Sequence, residues 1–361
     1  MSYRAAYPLV VAAAAISADP SANKAWSQEL RVTHRIMESI PTQIEEKRKA
    51  KRNKLLDAMK TLPGNAAVHP YMVIVEAAKW KPGRIVTVAF FGGDNALHSN
   101  IEKVALEWGE FANIKFDFGK DAGGKYRTWS TSDANYKADI RISFNQVGYW
   151  STVGIESRDP DIVRPNQASM NYQGFSESLP QDWESVVRHE FGHALGLEHE
   201  HQHPTGGCDW RWADEAGYKP TTDQFGQVIV DSTGKFPGIY RVLGGPPNNW
   251  SKQVVDRNIK QLANSAAYRF GAFDQQSIMK YQFDAWMFLK GTQSVCYSTE
   301  SNEKLSLEDK TRIAEYYPKD PAVAGVLTQN KIDQVATITP YVASLPILRN
   351  QLLRIQTEFS Q

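Results

Sequence analysis

The sequence is poor in the features that mark several specialised classes of protein. It has two cysteines in 361 residues, too few for a disulfide-stapled scaffold or a cysteine-rich zinc module. Its 41 Lys and Arg residues balance 40 Asp and Glu residues, so it lacks the basic field that attracts nucleic acid or anionic membranes. After the N-terminus, no apolar run approaches the roughly 20 residues of a membrane-spanning helix. We therefore expect no nucleic-acid partner and no membrane insertion.

The composition that remains is that of an ordinary globular protein, with 42% hydrophobic and 22% charged residues. The length allows one large domain with appendages or two ordinary domains. Residues 1–18 combine one early positive charge at Arg4, a short apolar stretch and small residues near Ala18. This pattern predicts a secretory signal peptide and a secreted or extracellular protein. An ordinary alanine-rich N-terminus remains the alternative, because Pro8 and the single charge weaken the signal.

Residues 19–78 are polar and predict a helical N-terminal extension, which is either a removable prosegment or a permanent part of the protein. The extension contains a basic run whose members are Lys47, Arg48, Lys49, Lys51, Arg52 and Lys54. Glu45 and Lys49 are spaced i,i+4, which favours a solvated helix face. A processing site or a polyanion-binding patch remains an alternative for this run.

From residue 84 onwards the pattern changes to alternating strands and helices. A buried-strand run at 84–91 is followed by an amphipathic helix that Ser99 and Glu102 can open as a capping box. Further strands are predicted at 114–118, 140–144, 149–154 and 168–175, before a helix that starts near Pro180. Gly92, Gly93 and Asp94, after the first strand, predict a turn. This order predicts an α/β sheet layer crossed by helices.

The main chemical signal is a cluster of histidines. Five of the 8 histidines fall between His189 and His203. On a helix, His189 and His193 lie one turn apart on the same face, where two imidazoles can bind one tetrahedral Zn²⁺. Glu190 sits about 100° around the helix from His189, close enough to contact a metal-bound water without being a ligand.

A third histidine follows a glycine at the expected distance. Gly196 can adopt a left-handed conformation, end the helix and turn the chain so that His199 completes the ligand set. Three protein ligands leave one position for water, which is typical of a catalytic zinc site. Glu190 would act as the general base for that water, which then attacks a polarised carbonyl.

The segment from His189 to His199 reads H-E-x-x-H-x-x-G-x-x-H, which resembles the signature of metzincin zinc endopeptidases, and Glu200 after it resembles the astacin family in particular. A second segment, S-I-M-K-Y at 277–281, is similar to the astacin Met-turn. The resemblance implies that Met279 underlies the zinc site. It also implies that Tyr281 is a further metal ligand that supports the transition state.

The resemblance extends over about residues 80–318 and implies a metzincin-type α/β (α+β) fold. We expect a twisted, mostly parallel five-stranded sheet with an antiparallel edge strand, an active-site helix and a loop-rich lower subdomain. Residues 148–154 are the candidate edge that pairs with extended peptide. The expected organisation is a signal peptide at 1–18, an extension at 19–78, a catalytic domain at 79–318 and a helical tail at 319–361.

Several departures from the family leave alternatives open. Cys208 and Cys296 either form a disulfide or remain two buried thiols. Glu200, which meets the trimmed N-terminus in astacins, is expected to serve structurally because no trimming site is evident. His201 and His203 are expected to be polar loop residues, since three ligands are already present.

The sequence thus predicts a monomeric zinc endopeptidase with one catalytic ion and a protein or peptide substrate. Two alternatives remain. The first is a zinc-containing protein-binding domain without proteolytic activity, against which the intact Glu190 and Tyr281 argue. The second is a protease delivered as an effector by a route that needs no signal peptide.

Overall fold

The computed structural model describes residues 37–62, 78–262 and 271–360. The predicted signal peptide and residues 19–36 and 63–77 of the N-terminal extension lie outside the described residues. No helix in the described part of the chain is long and apolar enough to cross a membrane.

A five-stranded sheet forms the centre of the molecule, with the spatial order β2-β1-β3-β5-β4. Its strands are β1 (Ile85–Phe91), β2 (Lys115–Asp117), β3 (Ile140–Ser143), β4 (Tyr149–Ser151) and β5 (Met170–Tyr172). The first four strands in this order run parallel, whereas β4 pairs antiparallel with β5 at the edge. The predicted fold class, including its antiparallel edge strand, is confirmed.

Two helices cover the sheet and meet each other over its apolar core. They are α2 (Asn95–Ala105) and α3 (Trp183–Ala194). Phe191 of α3 packs edge-on against Phe116 of β2, with ring centroids 5.0 Å apart. Trp108 follows α2 and donates its indole N–H to the carbonyl of Arg188, at 3.0 Å. These contacts fix the rotation of α3, and thereby the direction in which its histidines point.

The start of α2 differs from the prediction. Its N-cap is Asp94, whose Oδ1 accepts a hydrogen bond from the amide of Leu97 at 2.8 Å. Ser99 and Glu102 therefore lie inside the helix, and the predicted capping box is wrong. Gly92 and Gly93 both have positive φ, at 80° and 74°, so the chain turns sharply there before Asp94 caps the helix. The predicted turn is confirmed.

The lower part of the molecule is rich in loops and has its own apolar core. It contains α4 (Ile239–Gly244) and α5 (Lys252–Ile259). Cys208 and Cys296 form a disulfide across 88 residues, so the paired alternative holds. Short 3-10 helices among the described residues are Leu106–Glu110, Gly154–Arg158, Glu200–Gln202, Ala285–Met287, Gly291–Gln293 and Thr339–Tyr341.

Four further helices come from the two ends of the chain. They are α1 (Thr42–Lys60), α6 (Leu307–Tyr316), α7 (Pro321–Ile338) and α8 (Pro346–Ser360). A capping box opens α6, because Ser306 and Asp309 exchange hydrogen bonds between side chain and backbone, both at 2.9 Å. The predicted solvated basic face of α1 is wrong for Arg48 and Lys51, whose side chains are 16% and 9% exposed, because both are drawn into ion pairs with acidic residues of the body.

Candidate metal centre

The first two predicted ligands lie on the inner face of α3. His189 and His193 are both buried, and their Nε2 atoms are 3.1 Å apart. Gly192 lies between them, and a Cβ there would come 2.4 Å from the sulfur of Met279. The absence of a side chain at Gly192 therefore lets the sulfur of Met279 pack directly against α3. Sequence reasoning passed over this glycine, although it occupies a variable position of the recognised motif.

The bend after α3 brings the third histidine back to the first two. Gly196 has φ +96°. The amide of Leu197 donates to the carbonyl of Gly192 at 3.0 Å, and that of Gly196 to the carbonyl of His193 at 2.8 Å. These two bonds form a Schellman motif with the glycine at its left-handed position. As a result, the Nε2 atom of His199 lies 3.2 Å from that of His193.

The hydrogen bonds on the far side of each ring define which nitrogen carries the proton. Nδ1 of His189 lies 2.7 Å from the carbonyl oxygen of Ile278, and Nδ1 of His193 lies 2.7 Å from that of Leu197. A carbonyl can only accept, so both Nδ1 atoms are donors. In neutral imidazoles the two Nε2 atoms then carry bare lone pairs that point at each other.

For His199, the side chain of Gln202 takes the place that a backbone carbonyl has beside the other two histidines. Its Oε1 lies 3.2 Å from Nδ1 of His199, while its amide nitrogen donates to the carbonyls of Arg257 and Lys260 at 2.7 and 2.9 Å. Those two donated bonds fix the orientation of the amide, so its oxygen faces the imidazole as an acceptor. The end of α5 thus orients His199, the third predicted ligand, through Gln202, a link that the sequence did not reveal.

The donor set fits a zinc ion. Bare lone pairs repel one another unless a cation lies between them, and the three Nε2 atoms converge with a carboxylate within 4.8 Å. In a tetrahedron with Zn–N bonds of about 2.0–2.1 Å, ligand atoms are separated by about 3.3 Å. The observed Nε2 separations of 3.1 and 3.2 Å are close to this value.

The fourth group of the cluster is Glu38, which sequence reasoning missed. Its Oε2 lies 2.7 Å from Nε2 of both His189 and His199, and its Oε1 lies 3.2 Å from Nε2 of His193. Burial alone would raise its pKa, but the three histidines hold the pKa of Glu38 well below its usual range. A buried carboxylate that faces all three rings is a fourth candidate ligand.

The backbone around Glu38 runs along the edge of the sheet. The amide of Ser39 donates to the carbonyl of Tyr149 in β4 at 3.3 Å. The amide of Met37 donates to Oδ1 of Asn248 at 2.9 Å. The N-terminal segment around Glu38 therefore lies beside the strand that was predicted to pair with substrate.

Tyr281 completes the polar side of the cluster. Its hydroxyl donates to Oε2 of Glu38 at 2.6 Å and lies 2.8 Å from Nε2 of His199. Burial, together with the charge of Glu38, raises the pKa of Tyr281 well above its usual value, so the phenol is protonated. The ring packs against that of His201, with centroids 4.5 Å apart.

Glu190 lies beside the predicted ligands, and one of its carboxylate oxygens makes no hydrogen bond to a described residue. Its Oε2 is buried and makes no hydrogen bond within the described part of the chain. Burial, and then the negative charge of Glu38, raise the pKa of Glu190 well above its usual value. The side chain lines a cavity of about 560 Å³ that it shares with His189 and Tyr281. A carboxylate with a raised pKa and a free oxygen in a cavity is suited to proton transfer.

The remaining predicted residues lie close behind the cluster. Glu200 accepts a hydrogen bond from the amide of Asp274 at 2.8 Å and donates its own amide to the carbonyl of Met279 at 2.9 Å. Burial raises the pKa of Glu200 to about 7. His201 lies in the 3-10 turn Glu200–Gln202 and His203 directly follows it; both are buried, and neither belongs to the cluster of Glu38 with His189, His193 and His199. The lower subdomain packs over the 3-10 turn that carries them.

Comparisons with known proteins give matches only among solved structures. No protein-family model matches the chain, and no curated protein does. A structure of myroilysin is 30% identical with a TM-score of 0.51, covering 68% of this chain and 98% of that one. A crystal structure of myroilysin is 26% identical with a TM-score of 0.42, covering 79% of this chain and 100% of that one.

A third solved structure is high choriolytic enzyme 1, a hatching enzyme zinc-protease from Oryzias latipes (medaka fish). It is 15% identical with a TM-score of 0.36, covering 66% of this chain and 94% of that one. The first match is the informative one, because it combines 30% identity with 98% coverage of the myroilysin chain.

Proposed function

Because the chain belongs to the astacin-like family of zinc metalloproteases, we propose that it is a zinc-dependent endopeptidase. The observation that carries this proposal is the convergence of three Nε2 lone pairs beside a buried carboxylate with a free oxygen. A structural zinc site would have no need of Glu190, whose Oε2 lacks a hydrogen-bond partner among the described residues, or of the cavity next to it.

His189, His193 and His199 would hold the ion. When bound, zinc supplies Lewis acidity and lowers the pKa of a coordinated water towards about 7. Glu190 accepts the proton of the attacking water and delivers it to the leaving amine. Tyr281, whose phenol is protonated, donates a hydrogen bond to the oxyanion that develops on the scissile carbonyl.

The substrate would bind as an extended strand. The edge of the sheet at β4 supports this, because Tyr149 already accepts a backbone hydrogen bond from the chain's own Ser39 at 3.3 Å. A peptide in this place gains backbone pairing, which is independent of its sequence. The adjoining cavity of about 560 Å³ then receives one side chain of the substrate.

We further propose that the described part of the extension, residues 37–62, is an inhibitory prosegment of a catalytic domain at 79–318. The support is that Glu38 faces all three histidines and that its neighbours follow the substrate edge. The carboxylate would hold the coordination position that the attacking water needs. The disulfide between Cys208 and Cys296 supports the proposal that the protein acts in an oxidising compartment outside the cytosol.

Incubation with a mixed peptide library tests the proposed activity. We expect the Glu38→Ala variant to cleave internal peptide bonds, to lose this activity on addition of 1,10-phenanthroline and to regain it with added zinc. Mass spectrometry of the products gives the cleaved bonds. Cleavage that persists at full rate after the metal has been removed and measured as absent would contradict the proposal.

A further inference from the structure

The tail of the chain packs on the helix that follows Glu38, and not only on the catalytic body. Leu55 of α1 is 3% exposed and belongs to an apolar cluster built only from α1 and the two C-terminal helices with their connection. The other fully buried members are Val335, Ile338, Val342, Leu348, Leu352, Ile355 and Phe359. Within the described residues, this cluster is separate from the cores of the catalytic body.

A shared acidic residue joins the same helices to the body. Asp159, whose side chain is 7% exposed, forms ion pairs with Lys51 of α1 and with Arg354 of α8. Arg48 of α1 adds an ion pair with Glu156, at 2.5 Å. The inward face of α1 is thus basic, and the surface it covers is acidic. Buried pairs of this kind define one register better than apolar contact alone.

The C-terminal helices have attachments to the body that do not involve α1. Oε1 of Glu358 in α8 accepts the amide of Lys81 at 3.1 Å, and its Oε2 pairs with Arg84 at 3.2 Å. Before α7, Lys319 donates to the carbonyl of Glu110 at 2.7 Å. The pair α7–α8 is therefore held at both ends while α1 packs on it.

From this arrangement we propose that α7 and α8 are a binding site for α1 that keeps Glu38 in the metal centre. Glu38 stands four residues before the start of α1, so the position of this helix sets the position of the carboxylate. The effect on activity rests on the proposed protease function, whereas the binding of α1 does not. The tail thereby acquires a role that its sequence did not indicate.

Hydrogen–deuterium exchange of the full chain measures this binding directly. We expect Leu55→Ala and Leu352→Ala to speed exchange of the α1 amides at least about 10-fold, because truncating a buried leucine removes core contacts. Leu353→Ala is the matched control, since Leu353 follows Leu352 directly but is 49% exposed. We expect this variant to leave the exchange rates of the α1 amides unchanged. Leu55→Ala keeps the sequence of α7 and α8 intact, so slow exchange in α8 shows that the binding site is still folded.

Peptidase assays of the same variants separate the two proposals. We expect Leu55→Ala and Leu352→Ala to raise cleavage above that of the unaltered chain, in the direction of Glu38→Ala. Unchanged exchange of α1 in both leucine variants overturns the binding site, even when Glu38→Ala is active. If Leu55→Ala and Leu352→Ala speed exchange of the α1 amides but neither they nor Glu38→Ala cleaves peptides, the binding site is supported. The same result contradicts the proposed protease function.

Discussion

Replacing Glu190 by glutamine is expected to lower kcat by about 10²–10⁴-fold, the usual contribution of a general base. Glutamine has nearly the same shape but cannot accept the proton of the attacking water. Burial raises the pKa of Glu190 and still acts when Glu38 is replaced, which suits a group that takes up and returns a proton. Peptide hydrolysis by Glu38→Ala, with and without Glu190→Gln, measures the effect.

A matched glutamate on the same helix controls for the loss of charge. Glu184 lies on α3, and its side chain is 49% exposed beside Arg188, away from the histidines. Glu184→Gln should leave kcat within a factor of about two, because Arg188 keeps its two hydrogen bonds to Glu107, at 2.7 and 2.8 Å, when the half-exposed Glu184 loses its charge. Zinc content should be unchanged in both variants. A fully active Glu190→Gln enzyme would contradict the assigned role, and equally inactive variants would point to general damage.

Replacing Glu38 by alanine is expected to raise peptide hydrolysis at least about 10-fold. If the carboxylate occupies the metal centre most of the time, only a small fraction of the molecules can bind and cleave substrate. The measured rate is proportional to that fraction. Alanine removes the two oxygens that face the three histidines. Initial rates on one fluorogenic peptide, at equal zinc occupancy, give the comparison.

Glu46 provides the control for Glu38. It is also acidic, lies on α1 and is exposed to solvent. Glu46→Ala should keep the low activity of the unaltered chain, because its exposed carboxylate is not part of the cluster of Glu38 and the three histidines. Equal rates for Glu38→Ala and the unaltered chain would show that the carboxylate does not limit access to the site.

The parts of the fold that the sequence predicted are those with local patterns. The strand and helix periodicities are properties of short segments, and they predicted a sheet crossed by helices, whereas the antiparallel edge strand was implied by the family resemblance. The spacing of His189, His193 and His199 is equally local, because one helical turn and one glycine bend bring the rings together. The predicted start of α2 was wrong because Asp94, which follows a turn, caps the helix earlier in the chain than the predicted Ser99 cap.

The parts that escaped prediction depend on contacts between distant segments. Glu38 meets His189 across 151 residues, and its local sequence offers only three apolar neighbours, Ile36, Met37 and Ile40, in a polar stretch. Gln202 becomes a partner of His199 only because the end of α5 orients its amide. Periodicity cannot reveal such pairings, since each requires two surfaces to be assembled first.

Diffraction from crystals of the full chain, recorded on both sides of the zinc absorption edge, examines the centre most directly. We predict one anomalous peak, about 2.0–2.1 Å from Nε2 of each of His189, His193 and His199. A folded chain without such a peak, or a peak from which His199 stands apart, would contradict the account.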